Sequence, residues 1–259
     1  MNHTALITGA SRGLGAEFAR LFASKGTNLI LVARSEKELN DLKDELENTF
    51  KISVRTIAKD LTKPENVRFV YDEIKDAGIE VDYLVNNAGF GDFGYFSDTE
   101  WVRHRQMIDL NISALSHLCY LFVQDWIPRK SGKILNIAST AAFQPGPGMS
   151  VYFASKAYVA SFSQAIAYEF QKYGITVTAL CPGPVRTNFG IAARMQHPNG
   201  FLKDMKTPLP GEVVAFGYRA MMKGKTLVIQ GGLNKFVANL VRFIPRKWLI
   251  TFSAKVISW

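Results

Sequence analysis

The strongest constraint on the fold is a regular alternation of strand and helix patterns. Short apolar runs at 4–8 (TALIT), 28–33 (NLILVA), 52–58 (ISVRTIA), 81–89 (VDYLVNNAG), 133–139 (KILNIAS), 175–181 (ITVTALC) and 226–230 (TLVIQ) read as strands. Helical patterns lie between them. One runs to Lys25, and others cover 36–49, 64–77, a single long stretch near 99–127, and 150–172. A Pro- and Gly-containing connection over 182–210 precedes a last one near 211–222. Strands that alternate with helices pair in parallel and have both faces covered. The expectation is an α/β fold: a Rossmann-type, doubly wound parallel sheet of about seven strands with helices on both faces. It forms one domain over 1–259, with a C-terminal amphipathic helical extension over 231–259.

The first strand–helix junction reads TGASRGLG (8–15), with Gly9, Gly13 and Gly15. Glycines allow a tight turn and close approach of a pyrophosphate, and the following helix N-terminus offers N–H donors. The second strand ends VARSEKE, with Ala33 and Arg34 where an acid would bond a ribose 2′-hydroxyl. Arg34 and Arg12 supply two guanidinium forks suited to a 2′-phosphate. NADP(H) is therefore expected over NAD(H). The other reading of both arginines is a solvated or adenine-stacked surface.

Tyr152 and Lys156 stand four apart in SVYFASKAYVASF (150–162). That spacing puts them on one helix face, where a cation lowers a neighbouring phenol's pKa and prepares it for proton transfer. A surface Tyr–Lys pair is the plain alternative. Ser139 closes the fifth strand, in NIAST, and Asn111 lies in the long helix, in DLNISA.

Taken with Asp60 after the third strand, NNAG (86–89), YFASK (152–156) and PGPVRT (182–187), these motifs resemble the short-chain dehydrogenase/reductase family. The likeness is to its single-domain, NADP-preferring branch with a YxxxK active site, and it runs over roughly residues 4–230. The resemblance implies hydride transfer between nicotinamide and a carbonyl or secondary alcohol. Tyr152 is the general acid, Ser139 a second donor to the developing alkoxide, and Lys156 the group that tunes Tyr152 and holds the ribose. Asn111 holds a water that links Lys156 to solvent. The implied cofactor site comprises Gly9, Ser11, Arg12, Gly13, Leu14, Gly15, Arg34, Asp60, Leu61, Asn86, Val185 and Thr187, with Tyr152 and Lys156. Asp60 would bond the adenine amine with Leu61 packed nearby. Asn86 would lie by the adenosine ribose, and Val185 and Thr187 by the nicotinamide amide. Plainer roles stand beside these: Asp60 as a turn cap, Asn86 and Asn87 as fixers of the fourth strand, Asn111 as a locally satisfied amide. The resemblance also implies a homodimer or homotetramer. A non-catalytic, NADP(H)-sensing protein is the competing reading, and the full Asn111, Ser139, Tyr152 and Lys156 set argues against it.

Substrate contacts are expected from 90–97, 140–150 and 187–209. These carry Phe90, Phe93, Tyr95, Phe96, Phe143, Met149, Phe189, Met195 and Phe201. Such a lining favours an apolar ketone, steroid-like or 3-oxoacyl in type. Charge is uneven. Of the net +9, +8 sits in residues 213–259, which have no Asp or Glu, so a general nucleic-acid surface is not indicated. Two separate cysteines, Cys119 and Cys181, no metal-ligand spacing, no leader segment and no membrane-spanning run point to a cytoplasmic protein without a metal. In the tail, Phe236, Val237, Leu240, Val241 and Ile244 form one helical stripe opposite Lys235, Asn239 and Arg242. A second helix opened by Pro245 would gather Trp248, Leu249, Phe252, Val256 and Trp259. These stripes suit a peripheral membrane contact, the substrate cleft or a subunit interface.

Overall fold

The chain forms seven parallel strands in the order β3-β2-β1-β4-β5-β6-β7. The computed structural model describes residues 3–187, 189–194 and 207–257. The strands are β1 (Thr4–Thr8), β2 (Asn28–Ala33), β3 (Val54–Ala58), β4 (Tyr83–Asn86), β5 (Gly132–Ile137), β6 (Ile175–Cys181) and β7 (Leu227–Ile229). The main crossover helices are α1 (Gly13–Ala23), α2 (Glu36–Phe50), α3 (Pro64–Asp76), α4 (Trp101–Ile108), α5 (Leu115–Arg129) and α6 (Ser150–Gln171). A four-residue α7 (Phe189–Ala192) and then α8 (Pro210–Met222) lie between β6 and β7.

Period-two alternation divides the core. Leu6, Ile30, Val32, Leu84 and Ile134 point to one face, against α3, α5 and α6. Ala5, Ile7, Leu29, Leu31, Val85 and Leu135 point to the other, against α1, α2 and α8. Adjacent residues of one strand thus enter different clusters, which is why the central strands read as unbroken apolar runs. Among the strands, only the edge strand β3 has exposed positions, and β7, at the other edge, is half-buried throughout.

Two sequence expectations change. The long helix near 99–127 is interrupted: residues Asp109–Ala114 form a π-helical turn between α4 and α5, and Asn111 lies within it. A π turn carries an extra residue per turn and so shifts the register of the helix beyond it. Side-chain bonds from Asn111 to Phe90 and Ser155 favour this placement, and helical periodicity does not report such contacts.

The tail is the second change. It folds as α9 (Gly232–Leu240), a 3₁₀ turn (Val241–Phe243) and α10 (Arg246–Ile257), yet most of the apolar stripe faces outward. Ala238, Val241, Leu249 and Ser253 are buried, while Phe236, Val237, Leu240, Trp248 and Phe252 are exposed. Small and medium side chains let the helices approach the body closely, as the Ser253 hydroxyl donating to the Pro145 carbonyl at 2.6 Å shows. Trp259, and the Met195 and Phe201 of the expected lining, lie outside the described residues. Among the described residues, no helix is long and apolar enough to cross a membrane.

Packing is close where β5 begins. Trp126 is fully buried, and its indole N–H donates to the Val81 carbonyl at 2.7 Å. A Cβ on Gly132 would fall within the Trp126 ring. Gly132→Ala is expected to cost about 1–3 kcal/mol by overpacking. Urea unfolding should show a lower midpoint at unchanged slope, and an unchanged midpoint would contradict this packing.

Candidate active site

Strand order reverses between β1 and β4, so the connections from their carboxyl ends leave toward opposite faces of the sheet and open a crevice. Thr8 and Asn87 bridge it. The Thr8 hydroxyl oxygen accepts the N–H groups of Asn87 and Ala88, each at 3.0 Å. The Asn87 side-chain amide donates to the carbonyls of Thr8 at 3.0 Å and Gly9 at 3.1 Å. Gly9 and Gly13 sit at φ +63° and +56°, in the left-handed region. A Cβ on Gly9 or Gly15 would overlap the Asn87 amide, so turn and strand end pack as one unit. Helix α1 has no acid in its first turn and no side-chain cap from Arg12, which leaves its first N–H groups, at Gly13, Leu14 and Gly15, for an anion. An open groove of about 340 Å³ lies here, lined by Ser11, Arg12, Gly13, Arg186 and Thr187, among others. Val185 packs with the cluster under α1.

One of the two arginines is already paired. The Arg12 guanidinium is engaged by Glu38, with Nε donating to Oε2 at 2.8 Å and Nη2 to Oε1. Hydrogen bonding by Arg12 holds the Glu38 carboxyl below its usual range. Glu38 lies in the first turn of α2, beyond the strand-end position where sequence reasoning looks for an acid. Arg34 is exposed.

Asp60 caps a turn, its Oδ1 accepting the Thr62 N–H at 3.0 Å and the Thr62 hydroxyl at 2.9 Å. Leu61 is buried and lines a narrow cleft with Thr8, Asn86, Ala88 and Leu110. Asn86 is committed to the core: its amide donates to Asn136 Oδ1 at 2.9 Å and Cys119 Sγ at 3.3 Å. Its Oδ1 is buried with no protein partner. Asn87, and not Asn86, grips the phosphate turn. An orphaned acceptor at the cleft and a turn with no space for a Cβ both fit a bound nucleotide.

Ser139, Tyr152 and Lys156 converge just past β5. Ser139 caps a 3₁₀ turn (Thr140–Phe143), its Oγ accepting the Ala141 N–H at 3.1 Å. It also lies beside the Tyr152 phenol and favours its ionised form. Lys156 Nζ donates to the Ile137 carbonyl at 2.8 Å and lies 5.8 Å from the Tyr152 ring centre. The expectation that Lys156 lowers the Tyr152 pKa is not met here. Burial pushes the Tyr152 phenol up to about 12, opposed by the neighbouring Ser139 hydroxyl. Burial also brings the Lys156 ammonium down to about 8, opposed by the nearby Cys181. Desolvation outweighs attraction because the ammonium is spent on a carbonyl and is itself costly to keep charged. Asn111 Oδ1 accepts the Phe90 N–H at 3.1 Å, and its amide donates to the Phe90 carbonyl at 2.9 Å and Ser155 Oγ at 3.0 Å. Its side chain is thus taken up locally, with Oδ1 and Lys156 Nζ both beside Gly89.

The expected lining divides. Phe90, Phe93, Met149 and Phe189 gather around Tyr152, with the Phe189 ring 5.4 Å from the phenol. Phe143 packs on a different cluster, and Tyr95 and Phe96 are exposed. A clasp that sequence reasoning missed joins the two loops over Tyr152. Buried Asp92 accepts Arg194 at both oxygens, at 2.8 and 2.6 Å, and Arg103 lies 3.6 Å away. The Phe93 N–H also donates to the Ala193 carbonyl at 2.9 Å. The partners of this clasp are 102 residues apart, so no local pattern announces it.

A profile of the short chain dehydrogenase family matches residues 3–197. The very-long-chain 3-oxoacyl-CoA reductase of Macaca fascicularis is 34% identical over 250 residues, covering 94% of this chain and 77% of that protein. The human inactive hydroxysteroid dehydrogenase-like protein 1 is 28% identical, covering 98% of this chain and 76% of that protein. A short-chain dehydrogenase from Sphingobium yanoikuyae, solved in complex with NADPH, superposes with a TM-score of 0.82 at 29% identity, covering 94% of this chain and 96% of that one. With the parallel sheet, the crevice and the family profile in agreement, the chain belongs to the short-chain dehydrogenase family of oxidoreductases.

Proposed function

We propose that this protein is an NADPH-dependent reductase of carbonyl groups on apolar substrates. The observation that carries this reading is the convergence of Ser139, Tyr152 and Lys156 beneath an apolar wall of Phe90, Phe93, Met149 and Phe189. The 3-oxoacyl-CoA reductase relative supports a ketone on a long apolar chain as the substrate class. A nicotinamide, when bound, supplies a hydride to the carbonyl carbon. Tyr152 donates its proton to the carbonyl oxygen, and Ser139 donates a second hydrogen bond as negative charge develops there. A phenol held near 12 is fully protonated at neutral pH, which suits the reductive direction. Lys156 holds the cofactor ribose by donating from its charged ammonium. Asn111 fixes the Phe90 backbone and, through Ser155, the first turn of α6. Asp60, Leu61 and Asn86 flank the adenosine, and Val185 and Thr187 flank the nicotinamide amide. The resemblance supports a homodimer or homotetramer.

Tyr152→Phe is expected to lower kcat by about 100-fold or more while leaving the NADPH Kd in place. Wild-type turnover in that variant would remove Tyr152 from the proton step. The inactive relative and the burial of Tyr152 favour one competing reading, a cofactor-binding protein without turnover. Absence of Tyr152-dependent turnover on any carbonyl substrate would favour it.

For cofactor choice, Arg34 and Arg12 receive the 2′-phosphate, and Arg12 must exchange Glu38 for it. Arg34→Glu is expected to cut the NADPH-over-NADH preference by roughly tenfold, and Glu38→Gln to raise it by freeing Arg12. Unchanged preference in both variants would contradict this assignment.

The pH dependence comes from Lys156. Its charge is present below about pH 8 and is lost as pH rises through that value, while Tyr152 stays protonated to about 12. Reduction should therefore slow as pH rises through about 8. A rate that is flat to pH 10 would exclude the Lys156 charge from the mechanism.

A further inference from the structure

Helices α9 and α10 press their small side chains against the body and turn their bulky ones outward. Ala238, Val241, Leu249 and Ser253 are buried. Asn234 packs on Gly183 and donates to the Gln230 carbonyl at 2.8 Å, and Ser253 bonds the Pro145 carbonyl at 2.6 Å. Leu233, Phe236 and Leu240, spaced for one helix stripe, are exposed. Phe243, Trp248 and Phe252 are 84%, 71% and 63% exposed. Burying these six would be favourable, and here they meet water.

Cations surround this apolar surface. Lys235, Arg242, Arg246, Lys247 and Lys255 are all exposed, and no Asp or Glu occurs after Glu212. A cleft-covering role, which the sequence left open, does not account for side chains that face solvent. A second copy docked through a two-fold axis would set five cations against the same five, which repel. An anionic bilayer surface matches both the charge and the exposed aromatic rings, because Trp and Phe enter the headgroup boundary while Lys and Arg meet acidic lipid.

We propose that the outward face of α9, the 3₁₀ turn and α10 is a docking surface for anionic membranes. Trp248, Phe243 and Phe252 insert, and Arg246, Lys247 and Lys255 contact the lipid phosphates and carboxylates. The surface is joined to the active site. Ser253 bonds Pro145, in the segment between Ser139 and Ser150 that also carries Met149. Docking would therefore set the apolar wall near the phase where apolar ketones partition. That last step rests on the proposed reductase reading, while the docking itself does not.

The test is co-sedimentation of the full chain with vesicles of phosphatidylcholine alone or with about 30% phosphatidylserine, at low and at high salt. Binding to the anionic vesicles is expected to exceed binding to neutral ones by tenfold or more, and to fall with salt. The triple variant Phe243→Ser, Trp248→Ser, Phe252→Ser should lose at least about tenfold in binding. Its NADPH Kd should be unchanged, which shows that it is folded. Replacing Arg246, Lys247 and Lys255 with Gln should abolish the preference for phosphatidylserine. Several results would overturn the proposal. They are no binding to anionic vesicles, binding that both variants retain, and a concentration-dependent oligomer lost in the serine variant without vesicle binding. Because NADPH affinity is read separately, failure of the docking surface is distinguishable from failure of the reductase reading.

Discussion

The site depends on how the carboxyl ends of β1 and β4 are held together. The chain leaves the two ends toward opposite faces of the sheet, and the backbone groups beyond the last ladder pair have to be satisfied another way. Thr8 and Asn87 satisfy them across the gap, with the Thr8 hydroxyl taking two N–H groups and the Asn87 amide giving two bonds to carbonyls. Gly9 and Gly15 lack a Cβ because the Asn87 amide fills that space. The phosphate turn, the direction of α1 and the floor of the crevice are all set by this bridge.

A second constraint acts further along the sheet, where charge is buried in an apolar setting. Lys156 is 6% exposed, and the Ile137 carbonyl is its hydrogen-bond partner. Desolvation moves Lys156 toward neutrality and keeps the Tyr152 proton in place. The protein thus stores a neutral acid beside a weakly held cation. Such an arrangement is ready to give a proton when negative charge appears on a substrate oxygen. The apolar wall excludes water from the same place, and the Asp92–Arg194 clasp fixes the two loops that build it.

Much of this architecture was legible in the sequence, for physical reasons. Strands buried on both faces leave unbroken apolar runs, and NLILVA and ITVTALC coincide with β2 and β6. Glycines forced by turn geometry marked the phosphate loop. The short spacing of Tyr152 and Lys156 marked the helix face that meets Ser139. What escaped depends on contacts between distant residues. The π turn at Asn111 reflects Phe90 and Ser155, and the Glu38–Arg12 pair joins α2 to the turn before α1. Periodicity located the apolar stripe of the tail but not its direction, because Ala238 and Ser253 make the closer packing surface. The Tyr152 shift was misjudged because pair spacing reports attraction and is silent on desolvation.

The most direct test of the reductive site traces an atom. The protein would be incubated with NADPH deuterated at C4 of the nicotinamide, on each face in turn, and with a long-chain 3-oxoacyl thioester. The product would be read by mass spectrometry. The account predicts an alcohol that carries deuterium from one face of the nicotinamide and is absent in Tyr152→Phe. Tight NADPH binding with no deuterated alcohol, from that thioester or from any apolar ketone offered, would contradict it.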